Sequence, residues 1–185
     1  MAFVAIYDAN VLYPSVLRDV LIRVAAAGLV QAKWTEAILD ETFRNLMANR
    51  PDLDPDKLDR TRNAMKGAIR DCLVIGYEPL MSAIELPDPD DRHVLAAAIR
   101  ARAQVIVTFN LKDFPQEALA PWDVEAIHPD AFLEAQIGLN PQIVYAVLQC
   151  IADGCKKPPL TVADLIESLE RTGLVASVAA LRALN

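Results

Sequence analysis

Soft metal-binding side chains are scarce in this sequence. There are three cysteines, Cys72, Cys150 and Cys155, with no CxxC spacing, and two histidines, His93 and His128. That inventory excludes an ordinary zinc site. Unpaired thiols also fit a reducing, cytoplasmic setting. Basic charge is short as well: 18 Lys and Arg face 25 Asp and Glu, for a net charge of -7 and a pI near 4.8. Such a chain has no broad electrostatic attraction for nucleic acid, although a metal site would itself concentrate carboxylates. Long apolar runs are missing, because AVLQCIADG and VLAAAI are each cut short by charge or glycine. The apolar start MAFVAIYDAN reaches Asp8 without a positive leader or a small-residue cleavage pattern. It is expected to be a strand rather than a signal peptide, in a soluble protein that makes no membrane contact.

What is present suits one buried domain with a short addition, since 185 residues at 54% hydrophobic content are too few for two ordinary domains. Phe3 to Tyr7 reads as a buried strand ended by Asp-Ala-Asn. Helical spacing follows over Pro14 to Ala27, stopped by Gly28, and over Thr35 to Ala48 behind a Thr35 cap. A charged third helix is expected from about Pro55 to Cys72. Leu73 to Ile75, with Ile84 to Leu86, is the expected second strand region, and the turn-rich LPDPDD leads into the alanine-rich helix HVLAAAIRARA. Gln104 to Thr108 and Val124 to Ile127 complete the strands, and a helix follows from about Pro129 to Gln136. Strands alternating with helices predict a parallel sheet whose ligands gather beyond the strands' carboxyl ends. Residues 141 to 185 read as two or three more helices. No internal repeat interrupts this order.

Four places in the chain can feed one acidic centre. They are Asp8 after the first strand, Glu41 in the second helix, the Asp88-Pro-Asp90-Asp91 turn, and Asn110 with Asp113 after strand Gln104 to Thr108. A parallel sheet would bring such strand-end groups together. Oxygen-rich sites suit hard divalent cations, Mg2+ or Mn2+, and such ions can serve phosphodiester hydrolysis. Each acid also has a plainer reading. Asp8 can cap a helix, Glu41 can be one solvated charge beside Asp40, and at least one of Asp88, Asp90 and Asp91 is expected to cap the following helix. His93 is expected to pack rather than to ligate.

The ordered strings IYDANVL, WTEAILDETFRNL, LPDPDDRHVLAAAI and VIVTFNLKDFP resemble the PIN domain family, in particular its VapC-like toxin ribonuclease branch, over roughly residues 3 to 136. The resemblance implies a three-layer α/β/α PIN-like core with a parallel central sheet over residues 1–138 and a helical C-terminal extension over 139–185. It implies a metal-dependent endoribonuclease, the toxin of a toxin–antitoxin pair, with RNA as substrate, a cognate antitoxin as partner and a tendency to homodimerise. Carried over residue by residue, Asp8, Glu41 and Asp91 match the family's acids, and Asn10 and Thr108 its supporting polar positions, with Asp90 as a substitute for Asp91. The fourth acidic position holds Asn110 instead. Either Asn110 supplies a neutral oxygen and orients water, or Asp113 reaches the metal. Arg60, Lys66 and Arg70 on the third helix are the RNA-contact candidates, with a solvated face as the alternative. Two other functions share these residues: a non-catalytic PIN scaffold that binds RNA or protein, and a DNA-directed metal-dependent nuclease.

Overall fold

The computed structural model describes residues 3–184. The chain begins with strand β1 (Val4–Tyr7), a four-residue helix α1 (Ala9–Leu12) and helix α2 (Ser15–Ala26), then strand β2 (Gln31–Lys33), helix α3 (Glu36–Asn49) and helix α4 (Pro55–Ala68). Helix α5 (Arg92–Ala101), strand β3 (Val105–Val107), the short helix α6 (Gln116–Leu119) and strand β4 (Glu125–Ile127) follow. Helices α7 (Pro129–Leu139), α8 (Pro141–Gly154), α9 (Val162–Arg171) and α10 (Val175–Arg182) complete the fold.

The four strands form one parallel sheet in the order β2-β1-β3-β4. From β1 the chain crosses outward to β2, then returns past β1 to β3. Right-handed crossovers running in opposite directions place their helices on opposite faces, which gives a three-layer α/β/α sandwich. The reversal lies between β1 and β3, so their carboxyl ends open a crevice at the switch point. There the Asp8 N–H, just past β1, donates to the Val107 carbonyl at 3.1 Å.

Tyr7 shows how β1 anchors one layer. Its ring is fully buried, lies edge-on to Phe132 of α7 at 5.9 Å and stacks with Trp34 at 6.4 Å. Its hydroxyl donates to the Leu21 carbonyl of α2 at 3.3 Å. Such aromatic pairs add about 1 kcal/mol each beyond the area they bury. Burial without a counter-charge pushes the phenol well above its usual range. Helix α2 stops at Gly28, whose φ of +88° lets the Gly28 and Leu29 N–H groups bond back to the Ala25 and Val24 carbonyls. A side chain there would strain the left-handed backbone.

Two expectations are corrected. The second strand is Gln31–Lys33, not Leu73 to Ile75; Leu73 makes only an isolated parallel bridge with Trp34, and Ile84 to Leu86 is no strand. Strand β2 lies at the sheet edge and keeps Gln31 exposed, so it carries no apolar run. The third helix ends at Ala68 rather than Cys72. The carboxy-terminal helices are part of the packing: α8 rests on α2, and α10 on α7. Helix α7 itself runs through residue 138. The three cysteines are free thiols, and no helix among the described residues is long and apolar enough to cross a membrane.

Candidate active site

Asp8 stands where β1 ends. Its backbone is extended, with φ -73° and ψ 158°, so it can begin α1 while its Oδ1 accepts the Ala9 N–H at 2.7 Å. Its Oδ2 accepts two further donors, the Thr108 hydroxyl at 2.8 Å and the Asn10 amide at 2.9 Å. Thr108, fully buried just past β3, in turn accepts the Asn110 N–H at 3.0 Å and the second Asn10 amide hydrogen at 2.9 Å. Asn10 Oδ1 closes the network by accepting the Phe109 N–H at 3.1 Å. Asp8 therefore has one fixed orientation, set by residues on both sides of the switch point.

Three more carboxylates lie within electrostatic reach. Burial pushes Asp8 above the usual carboxylate range and Asp113 adds to this, while the bonds from Thr108, Ala9 and Asn10 oppose it. Glu41, on α3, is raised by burial and then by Asp8, with Arg44 in opposition. Asp91 is raised to about 7 by burial and then by Asp8, Asp88, Asp113 and Glu41. Among the described residues none of Asp8, Asp91 and Asp113 has a Lys or Arg ion pair. His93 Nε2 lies 3.8 Å from Glu41 Oε2, too long for a hydrogen bond.

Helix capping separates the three acids of the turn. Asp88 caps it by accepting the Asp90 N–H at 2.9 Å, and Asp90 is exposed. Asp91 makes no capping bond and is left facing the other carboxylates. Asn110 donates through Nδ2 to Asp113 Oδ2, which ties Asp113 to the site. Both residues of the divided fourth position are thus at the crevice, Asp113 by its charge and Asn110 by holding it.

Among the described residues the basic candidates make no ion pair with these acids. Lys66 is paired with Glu36 at 2.7 Å. Arg70 lines a depression with Gly28 and Gln31 at the start of β2, the sheet end opposite Asp8. Arg60 is exposed on α4. Neighbouring Arg62 is held by Glu36 and, at 2.7 Å, by Asp40. Arg44, one turn after Glu41, Arg92, next to Asp91, and Lys112, between Asn110 and Asp113, adjoin the acids in sequence; none has an ion pair among the described residues. Their closeness in sequence to Glu41, Asp91 and Asp113 was the available signal.

Among the described residues no three acidic, histidine or cysteine side chains are grouped closely enough to hold an ion by themselves. The carboxylates are within Coulombic range but not at ligand distance. The donors are all oxygens, and among the described residues Asp8, Asp91 and Asp113 have no Lys or Arg ion pair. That chemistry fits a hard divalent cation that keeps several waters and takes only one or two carboxylates directly.

A parallel α/β/α sandwich with an Asp-Asn-Thr network and an acid cluster at its switch point defines a PIN domain. Residues 4–112, more than half of the chain, match the PIN domain family, and the chain belongs to it. Residues 129–183, covering α7 to α10, match the family described as the VapC50 C-terminal domain. Over 94 residues the chain is 46% identical to a Mycobacterium tuberculosis protein named "Putative ribonuclease VapC50", a match covering 51% of this chain and 55% of that relative. It thus spans about half the length of the curated relative. No solved structure matches.

Proposed function

We propose that this protein is an endoribonuclease that hydrolyses RNA phosphodiester bonds with Mg2+ or Mn2+, and that it is the toxin of a toxin–antitoxin pair, restrained by a cognate antitoxin. One observation carries the reading: Asp8, Glu41, Asp91 and Asp113 act on one another electrostatically at the carboxyl end of the sheet, and among the described residues none of them has a Lys or Arg ion pair. The name of the M. tuberculosis relative supports the same activity. We further assign catalysis to residues 1–138 and packing or partner binding to the extension over 139–185.

Asp8, Asp91 and Asp113 would hold the cation, with Glu41 beside them. When bound, a divalent ion supplies an activated water and neutralises charge on the scissile phosphate. Asp8 is aimed by Thr108 and Asn10, and Asn110 restrains Asp113. Burial and the surrounding carboxylates raise the Asp91 carboxyl to about 7, and a bound divalent cation would favour its ionised form.

Asp8→Asn removes a negative oxygen ligand at nearly constant volume. It is expected to abolish most cleavage of single-stranded RNA and to weaken calorimetric Mg2+ or Mn2+ binding by at least tenfold, with an unchanged circular dichroism spectrum. Wild-type cleavage and metal affinity in this variant would refute the site.

A further inference from the structure

The carboxyl edge of the sheet carries an aromatic pair beside the acids. Phe109 follows Thr108 directly, and its N–H is bound by Asn10, the residue whose amide holds Asp8. His128 follows β4, and its ring stands edge-on to Phe109, with centroids 5.1 Å apart and planes at 83°. Both side chains are partly exposed. Leu111 and Lys112, on the turn between Phe109 and Asp113, are exposed.

His128 has a defined role at one nitrogen. Its Nδ1 accepts the Asp130 N–H at 3.2 Å and so caps α7. In the neutral ring the proton then lies on Nε2, which has no protein partner among the described residues. A partly exposed aromatic pair and a ring N–H without a partner among the described residues thus stand beside the Asp8 network, with Lys112 three residues after Phe109.

A chain of charge -7 has little long-range hold on a polyanion. Affinity for a single strand must then come from short-range contacts, and base stacking on aromatic rings is the sequence-tolerant kind. We propose that Phe109 and His128 form a nucleobase seat next to the scissile phosphate: Phe109 stacks the base, His128 Nε2–H donates to its edge, and Lys112 meets the adjoining phosphate. The proposal rests on the nuclease reading for its polyanion.

Binding is measured apart from cleavage, by fluorescence anisotropy of labelled single-stranded ribo-oligonucleotides on the full chain carrying Asp8→Asn. Intact strands are compared with strands in which abasic sites replace the bases. Phe109→Leu should raise Kd for intact strands about tenfold, the range set by loss of one stacked base. It should leave Kd for abasic strands unchanged, and Phe109→Tyr should restore binding. His128→Asn, which keeps an oxygen to cap α7, should alter the ranking among the four bases. These results support the seat even if the wild-type chain cuts none of the strands, an outcome that would sink only the ribonuclease reading. A Kd for intact strands that is the same in folded Phe109→Leu as in its parent overturns the seat, whether or not the wild-type chain cuts RNA.

Discussion

Replacing Asp91 by Asn should stabilise the metal-free protein while impairing it as a metal binder. The carboxyl is raised from 3.8 to about 7 by burial and by the negative charges of Asp8, Asp88, Asp113 and Glu41. At about 1.36 kcal/mol per pH unit, that shift sets a ceiling of about 4 kcal/mol on the cost of ionising Asp91 in the fold. Asp91 is only half-buried, and solvent screening reduces the figure to on the order of 1–2 kcal/mol. The sign follows from linkage: a carboxyl whose folded pKa is raised binds its proton more tightly in the folded state. The penalty is absent below the unfolded value, grows between about pH 4 and pH 7, and is constant above that. Urea unfolding in EDTA should therefore show Asp91→Asn more stable than wild type at pH 8, with the gap closing by pH 4. Adding Mg2+ should reverse the ranking, because the neutralised wild type gains more. A variant less stable than wild type at pH 8 in EDTA, or a difference independent of pH, would refute the electrostatic argument.

Thr108→Val deletes the hydroxyl that serves Asp8, Asn10 and Asn110, and leaves buried partners unsatisfied. A loss of about 1–3 kcal/mol in urea unfolding is expected, together with a fall in RNA cleavage; Thr108→Ser should recover both. Asp130→Ala removes the carboxylate that accepts the Ala176 and Ser177 N–H groups at 2.9 and 2.8 Å and so caps α10 from α7. A cost of about 1–2 kcal/mol is expected at pH 7. Burial pulls the Asp130 carboxyl up, but those N–H bonds outweigh it and hold it below the usual range. Its contribution is therefore present above the unfolded pKa and fades as the pH falls through the folded one, so wild type and variant should converge in acid.

The sequence by itself determined the main elements and the acidic residues. Phe3 to Tyr7 had to be a strand because it is short, apolar and closed by a turn, and Thr35 had to cap α3 because its hydroxyl can accept the Ile38 N–H, as it does at 3.0 Å. Asp8 and the Asn110–Asp113 pair were legible because they follow strands, whereas Glu41 and Asp91, on helix α3 and at the start of α5, were singled out by resemblance to the PIN family. Strand β2 was not, since an edge strand of three residues is held by its ladder to β1 rather than by its own pattern. Resemblance pointed to Asp91 among Asp88, Asp90 and Asp91, and tertiary structure supplies the physical difference: the Asp88 carboxylate is taken by the Asp90 N–H, whereas Asp91 makes no capping bond. Tertiary structure alone decided that Lys66 is neutralised by Glu36, thirty residues away, and that Arg70 lies at the far end of the sheet. Charge pattern along one helix says nothing of what the neighbouring helix presents to it. The same limit hid the Asp130 cap on α10 and the meeting of Phe109 with His128, contacts between groups that only the packed sheet and helices bring together.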